Sequence, residues 1–336
     1  MRIRFRLATG AAAAAGALAM LGQAPVSAAV MPGHAHCPRG AVTAYVANWG
    51  ASTVTPIRAA DSTAGKPIKV GDGPYYTAIT PDGKTAYVVN ELASTVTPIR
   101  TADNIPGKPI TVGTQPYKAA ITPNGRTVYV ASLGNANGNG TVTPISTASN
   151  IPGKPITVGK WPIAIAVTPD GRTVYTVNSG AGTVTPIRAA TNTPGKPIKV
   201  GKDPYAIAIT PDGKTAYVTS SAGTVTPIRT ATNTPGKPIK VGSWPIAIAI
   251  TPDGRTAYVA NEYSGTVTPI RTATNTAGKP ITAGRIPVVI AITPDGRTAY
   301  VVNRGSGTVT PICIATGIPG KPIKVGSFPV SIAITP

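Results

Sequence analysis

The sequence predicts an all-β fold, a seven-bladed β-propeller of four-stranded blades. Three observations carry that expectation. The string TVTPI recurs seven times, at Thr53, Thr95, Thr141, Thr183, Thr224, Thr266 and Thr308, in steps of 42, 46, 42, 41, 42 and 42 residues. Each copy sits among four short alternating runs bounded by turn residues. Finally, 37 Gly and 36 Pro in 336 residues leave no long run of helix formers in the repeat region, and a stable helix needs one. A fixed period of about forty residues marks a repeat architecture, and four short strands per repeat mark propeller blades. Hydrophobic residues form 42% of the chain and recur with the repeat, which argues against disorder.

The chain opens with Arg2, Arg4 and Arg6, continues through an Ala- and Leu-rich run and reaches Val26-Ser27-Ala28. This is the anatomy of a secretory signal peptide over residues 1–28, cleaved near Ala28. An uncleaved anchor is the alternative. No other segment approaches the ~20 apolar residues of a membrane span. The mature protein is therefore expected to be secreted and extracytoplasmic. Removing the three arginines takes its formal charge from +20 to +17. Residues 29–41 read as a flexible tail. They hold the only histidines, His34 and His36, beside Cys37. HAHC has the look of a soft-metal cluster, but a flexible tail is the preferred reading, and no metal or cofactor is expected. Cys37 and Cys313 are the only cysteines. In an exported chain they imply one disulfide, the alternative being two unpaired thiols.

The propeller is expected over residues 42–336. Residues 205–241 illustrate one blade. YAIAIT is the first, innermost strand. Pro211-Asp212-Gly213 makes a tight turn, with Pro presetting φ and Gly supplying a positive one. TAYVTS, GTVTPIR and KPIKV are the second, third and fourth strands. The chain begins its repeats with a lone second strand and stops on a lone first strand, SIAITP. Pairing residues 331–335 with 42–47 would complete one blade and close the ring, which protects the sheet edges. Pro at the start of each first strand needs no ladder donor. The Pro inside TVTPI should force a bulge or an early strand end.

TPDGKTAYVVN at 80–90, TPDGRTAYVAN at 251–261 and their copies, each followed by TVTPI and a TATN-like turn, resemble the YVTN β-propeller repeat family. That group consists largely of extracytoplasmic bacterial and archaeal proteins. The resemblance spans residues 42–336 and implies a seven-bladed propeller, without fixing one function. The string YVTN itself never occurs, and Arg188, Arg229 and Arg271 stand where the family usually has Asp.

Successive antiparallel strands turn at alternate ends, so the connections sort onto two faces. The face carrying first-to-second and third-to-fourth turns has eighteen basic residues against seven acidic ones. Arg58, Lys84, Arg126, Arg172, Lys214, Arg255 and Arg297 represent them. Such a field attracts anionic envelope polymer or nucleic acid; the alternative is a solvated ring copied with the repeat. No aromatic residue interleaves with it, which disfavours nucleic acid. The opposite face has five basic and four acidic residues, and there the copies stop agreeing. It gathers Trp49, Tyr76, Glu91, Lys118, Trp161, Asp203, Trp244, Glu262, Tyr263, Arg304 and Phe328. Variable loops on a rigid scaffold are where binding usually sits, and these aromatics could stack on sugar or anchor a protein. Packing at the channel mouth is the alternative. Tyr75, Tyr117 and Tyr205 share a repeat position with Ile163 and Ile246 and are expected in the core.

Catalytic signals are weak. No G-x-S-x-G, Walker A or H-E-x-x-H motif is present, and Glu91 and Glu262 stand in distant blades. The leading expectation is a monomeric, non-catalytic binding module with a protein or glycan ligand on the variable face. A lactonase- or lyase-like enzyme using Glu91, Asp203, Glu262 or Arg304 is the alternative, and nucleic-acid binding through the basic face is a third.

Overall fold

The structure, a computed structural model, describes residues 43–58, 63–135, 138–325, 327–329 and 332. The signal-peptide segment, the tail with Cys37 and most of the closing strand lie outside the described residues. Within them the chain forms seven antiparallel sheets, as the repeat count requires. Blade two shows the pattern. Its first strand is Pro74–Ile79, its second Thr85–Asn90 and its third Thr95–Arg100. First strands of neighbouring blades touch one another around the ring, so they line its centre. Blade one is described from its second strand, Thr43–Asn48, outward.

The core lies between blades rather than within them. Tyr76, Ala78, Tyr87 and Val89 of blade two pack on Ala119, Val128, Val130 and Ile145 of blade three. Equivalent clusters join the next blades in turn. A blade buries each face only against a neighbour, which makes the stability of the array a sum of interface terms.

The proline of TVTPI departs from expectation. The third strand passes through Pro98 in unbroken register, with Tyr87 opposite it. The irregularity falls on the neighbour instead. The fourth strand splits into Ile105–Pro106 and Ile110–Thr111, which pair with opposite ends of the third. Pro98 has a carbonyl facing outward but no N–H, so the outer ladder loses one donor there. Its oxygen accepts from the Gly107 N–H at 2.7 Å. A Cβ on Gly107 would come within 3.1 Å of the Pro98 ring, and the other six copies repeat this contact. TVTPI and the glycine of GKPI are thus one structural device. A second irregularity follows the proline of the first strand, where register shifts between Pro74 and Tyr76.

Blades are also latched at their rim. The second-strand tyrosine donates its hydroxyl to the Asn side chain in the third-to-fourth turn of the next blade. Tyr45–Asn104, Tyr87–Asn150, Tyr129–Asn192 and Tyr217–Asn275 each span 2.7 Å, and Tyr175–Asn233 spans 2.5 Å. Each Asn sits at positive φ, 54–59°, a conformation Asn tolerates well. The TATN-like turns of the sequence are the receiving half of this latch.

Candidate functional site

The variable face is built on an unusual backbone. The residue before the first-strand proline has positive φ in all seven copies: Gly73, Gln115, Trp161, Asp203, Trp244, Ile286 and Phe328, at 44–63°. One is glycine. A left-handed conformation costs other L-residues about 1–2 kcal/mol, and a β-branched residue such as Ile286 is a genuine outlier there. The ring of hydrogen bonds explains how the conformation is held. The carbonyl of this residue accepts the N–H of the first residue in the second-to-third turn, as in Glu91 to Gly73, Ser179 to Trp161, Glu262 to Trp244 and Arg304 to Ile286, all at 2.8–2.9 Å.

This brace brings together two positions 19 residues apart. They fill one space between them. Leu92 occupies the room above Gly73, Trp161 lies over Gly180, and Ile286 lies over Gly305. Gly134 and Ala222 stand 19 residues after Gln115 and Asp203, so one member of each of these pairs is small too. Blade six breaks the rule. Trp244 and Tyr263 are both large, and their rings stack at 5.1 Å with 20° between planes. Tyr263 remains 67% exposed and Phe328 74%.

Two pairs of these turn residues bond across blades. Trp49 Nε1 donates to Glu91 Oε2 at 3.3 Å. Arg304 Nη2 donates to Glu262 Oε1 at 3.1 Å. Burial raises the Glu262 carboxyl, opposed by the Arg304 charge. Tyr205 is 41% exposed, and its phenol is raised by burial and by the charges of Tyr75 and Glu262. Tyr75 and Tyr117 touch, ring centroids 4.4 Å apart and hydroxyls 2.6 Å apart. These three tyrosines were expected in the core. Tyr75 packs half-buried against the cluster of blades two and three, Tyr117 is half-buried and Tyr205 exposed, because all three occupy the bulged position after the proline.

Two further positions need correction or comment. Tyr76 is not on the exposed face. It is buried between blades two and three. Lys118 sits with its ammonium 4.3 Å from the Tyr76 ring centre. No acidic side chain pairs with it among the described residues, and burial pushes it down to about 8. Lys160 likewise lies over the Trp161 ring, at 5.0 Å.

The basic face is regular. Lys84, Arg172, Lys214, Arg255 and Arg297 stand 82–86% exposed, 3.7–3.9 Å from the aspartate of their own turn. Those pairs contribute little in water. The aspartates serve the turn: Asp212 accepts from Thr210 Oγ1 at 2.6 Å and from the Lys214 N–H at 3.0 Å. The Thr hydrogen bond is the main cause holding its carboxyl low. Blade three has Asn124 here, bonded the same way, so Arg126 has no turn carboxylate beside it. Arg58 ends the third strand of blade one, exposed. Cys313 is exposed at the end of the last described third strand; its expected partner, Cys37, lies outside the described residues. Among the described residues no three His, Cys, Asp or Glu side chains converge, and no helix is long and apolar enough to cross a membrane.

Fold and site together define a seven-bladed propeller with one repetitive and one diversified face. Two solved structures share its architecture. Hydrazine synthase of Kuenenia stuttgartiensis aligns with a TM-score of 0.66 at 23% identity, over 81% of this chain and 92% of that one. A functionally unknown protein from Desulfotomaculum acetoxidans aligns with a TM-score of 0.67 at 19% identity, over 85% of this chain and 97% of that one. At such identities the likeness is one of fold. No protein-family model and no curated protein matches the chain.

Proposed function

We propose that the protein is an exported, non-catalytic binding module of the YVTN repeat type. It takes its ligand on the variable face, and the basic face holds it near anionic envelope polymer. One observation carries this reading. Six of the seven pre-proline positions keep a non-glycine side chain in a left-handed backbone that glycine would accept without strain. Backbone strain retained at equivalent positions around the ring points to side chains needed there for function. Their identities differ from blade to blade, as recognition of an asymmetric ligand requires. The signal-peptide pattern and the +17 charge support an extracytoplasmic site.

The test is binding of the mature protein to its own cell envelope across a salt series, with a Trp161→Ala/Trp244→Ala variant alongside. Salt-resistant binding that the variant loses is expected. Binding that vanishes at moderate salt, ignores the variant and extends equally to duplex DNA would replace this reading with bulk polyanion attraction. A second reading has its own observation. Glu262, raised by burial, interacts with Arg304 and Tyr205, as a lyase- or lactonase-like acid–base group would. Turnover of a lactone substrate lost in Glu262→Gln would favour that reading.

A further inference from the structure

We propose that blade six carries a carbohydrate subsite, and that its ligand is an uncharged oligosaccharide of equatorially substituted hexopyranoses. The inference rests on the binding reading above and adds the ligand class.

The argument starts from the broken size rule. In the other fully described blades, one of the two braced positions is small or the pair holds at most one ring. Among the described residues, only in blade six do the two braced positions, Trp244 and Tyr263, both carry aromatic rings, and these stack. Trp244 is half-buried and backs Tyr263, whose outer surface is open. A rigid, exposed aromatic plane is what the axial C–H face of an equatorially substituted pyranose stacks on.

The surround separates sugar from protein. Protein hot spots cluster in well-packed, fully desolvated pockets whose surround excludes water. Here the neighbours are hydroxyls, glycines and an ion pair. Ser264 Oγ accepts the Ser243 N–H at 2.6 Å, and the next blade presents Arg304, Gly305 and Ser306. The Arg304–Glu262 pair joins a carboxylate only 12% exposed to a guanidinium 42% exposed. It offers fixed donors and acceptors to vicinal hydroxyls and leaves the spot close to neutral. An uncharged ligand suits that balance.

The experiment titrates the mature protein with cellohexaose, chitohexaose and maltohexaose by calorimetry. Saturable binding of at least one of the three hexamers is expected. Tyr263→Ala should lower the affinity about tenfold, Tyr263→Phe should retain it, and Ile318→Ala, at an exposed turn of the opposite face, should leave it unchanged. Tyr263 is exposed, so its variants should melt like the parent. No binding of any of the three hexamers, or indifference to Tyr263→Ala, would each overturn the inference. If those failures accompany envelope binding that still depends on Trp161 and Trp244, the sugar assignment falls and the variable-face reading stands. If envelope binding also ignores both tryptophans, the broader reading falls with it.

Discussion

Gln115 stands exposed at a φ of 52°, with no packing to justify the conformation. Glycine there would remove about 1–2 kcal/mol of left-handed strain against about 0.5–1 kcal/mol of extra chain entropy. Gln115→Gly should therefore raise stability by about 0.5 kcal/mol, read as a higher urea midpoint at unchanged slope. Lys118 makes a pH-dependent prediction. Its folded value, about 8, lies below the unfolded value near 10.4. Keeping it charged thus opposes folding fully below pH 8, and less as pH rises towards 10.4. Lys118→Met should be more stable than the parent at pH 7, with the gap closing between pH 8 and about 10.4. At this scale the sequence was only partly legible. The variable face could be read from where copies disagree. That its key position is left-handed could not, because Gln, Trp and Ile carry no such signal. Tyr76 was misplaced because a one-residue bulge after the proline exchanges which side chain faces the channel.

The blade depends on devices that couple distant repeat strings. Gly236 would place a Cβ 3.1 Å from the Pro227 ring. Gly236→Ala should cost about 1–2 kcal/mol in chemical unfolding, and adding Pro227→Ala should recover at least about 0.5 kcal/mol of it. Additive losses would break the proposed coupling. Both strings are plain in the sequence. Their dependence was not, since it runs through a missing N–H rather than through a pattern. The rim latch behaves similarly. Tyr129→Phe removes a hydrogen bond between blades and should cost about 1 kcal/mol, whereas Tyr and Asn sit too far apart in sequence to suggest a pair. The turn aspartates set an acid limit. The carboxyls of Asp82, Asp170, Asp212, Asp253 and Asp295 all lie below their ordinary 3.8. Their contribution is complete above that value and is lost as pH falls through the lower folded ones. Asp212→Asn, imitating Asn124, should flatten this acid limb in a thermal-melt series.

For the whole molecule, the seven blades form a scaffold whose two faces diverged differently. Repetition was the strongest signal in the sequence, so blade count, strand order and the charged face were legible from spacing alone. The opposite face was legible only as variation, the pattern expected of the binding surface proposed for it. The central claim is that specific binding uses that face. Amide hydrogen exchange of the envelope-bound protein tests it most directly, since both sets of turns report in one experiment. The account predicts slowed exchange at the turns around residues 91–94, 179–182, 262–265 and 304–307. Slowing confined to the TPDG turns, around 80–84 and 251–255, would mean that the charged ring alone makes the contact and would contradict the account.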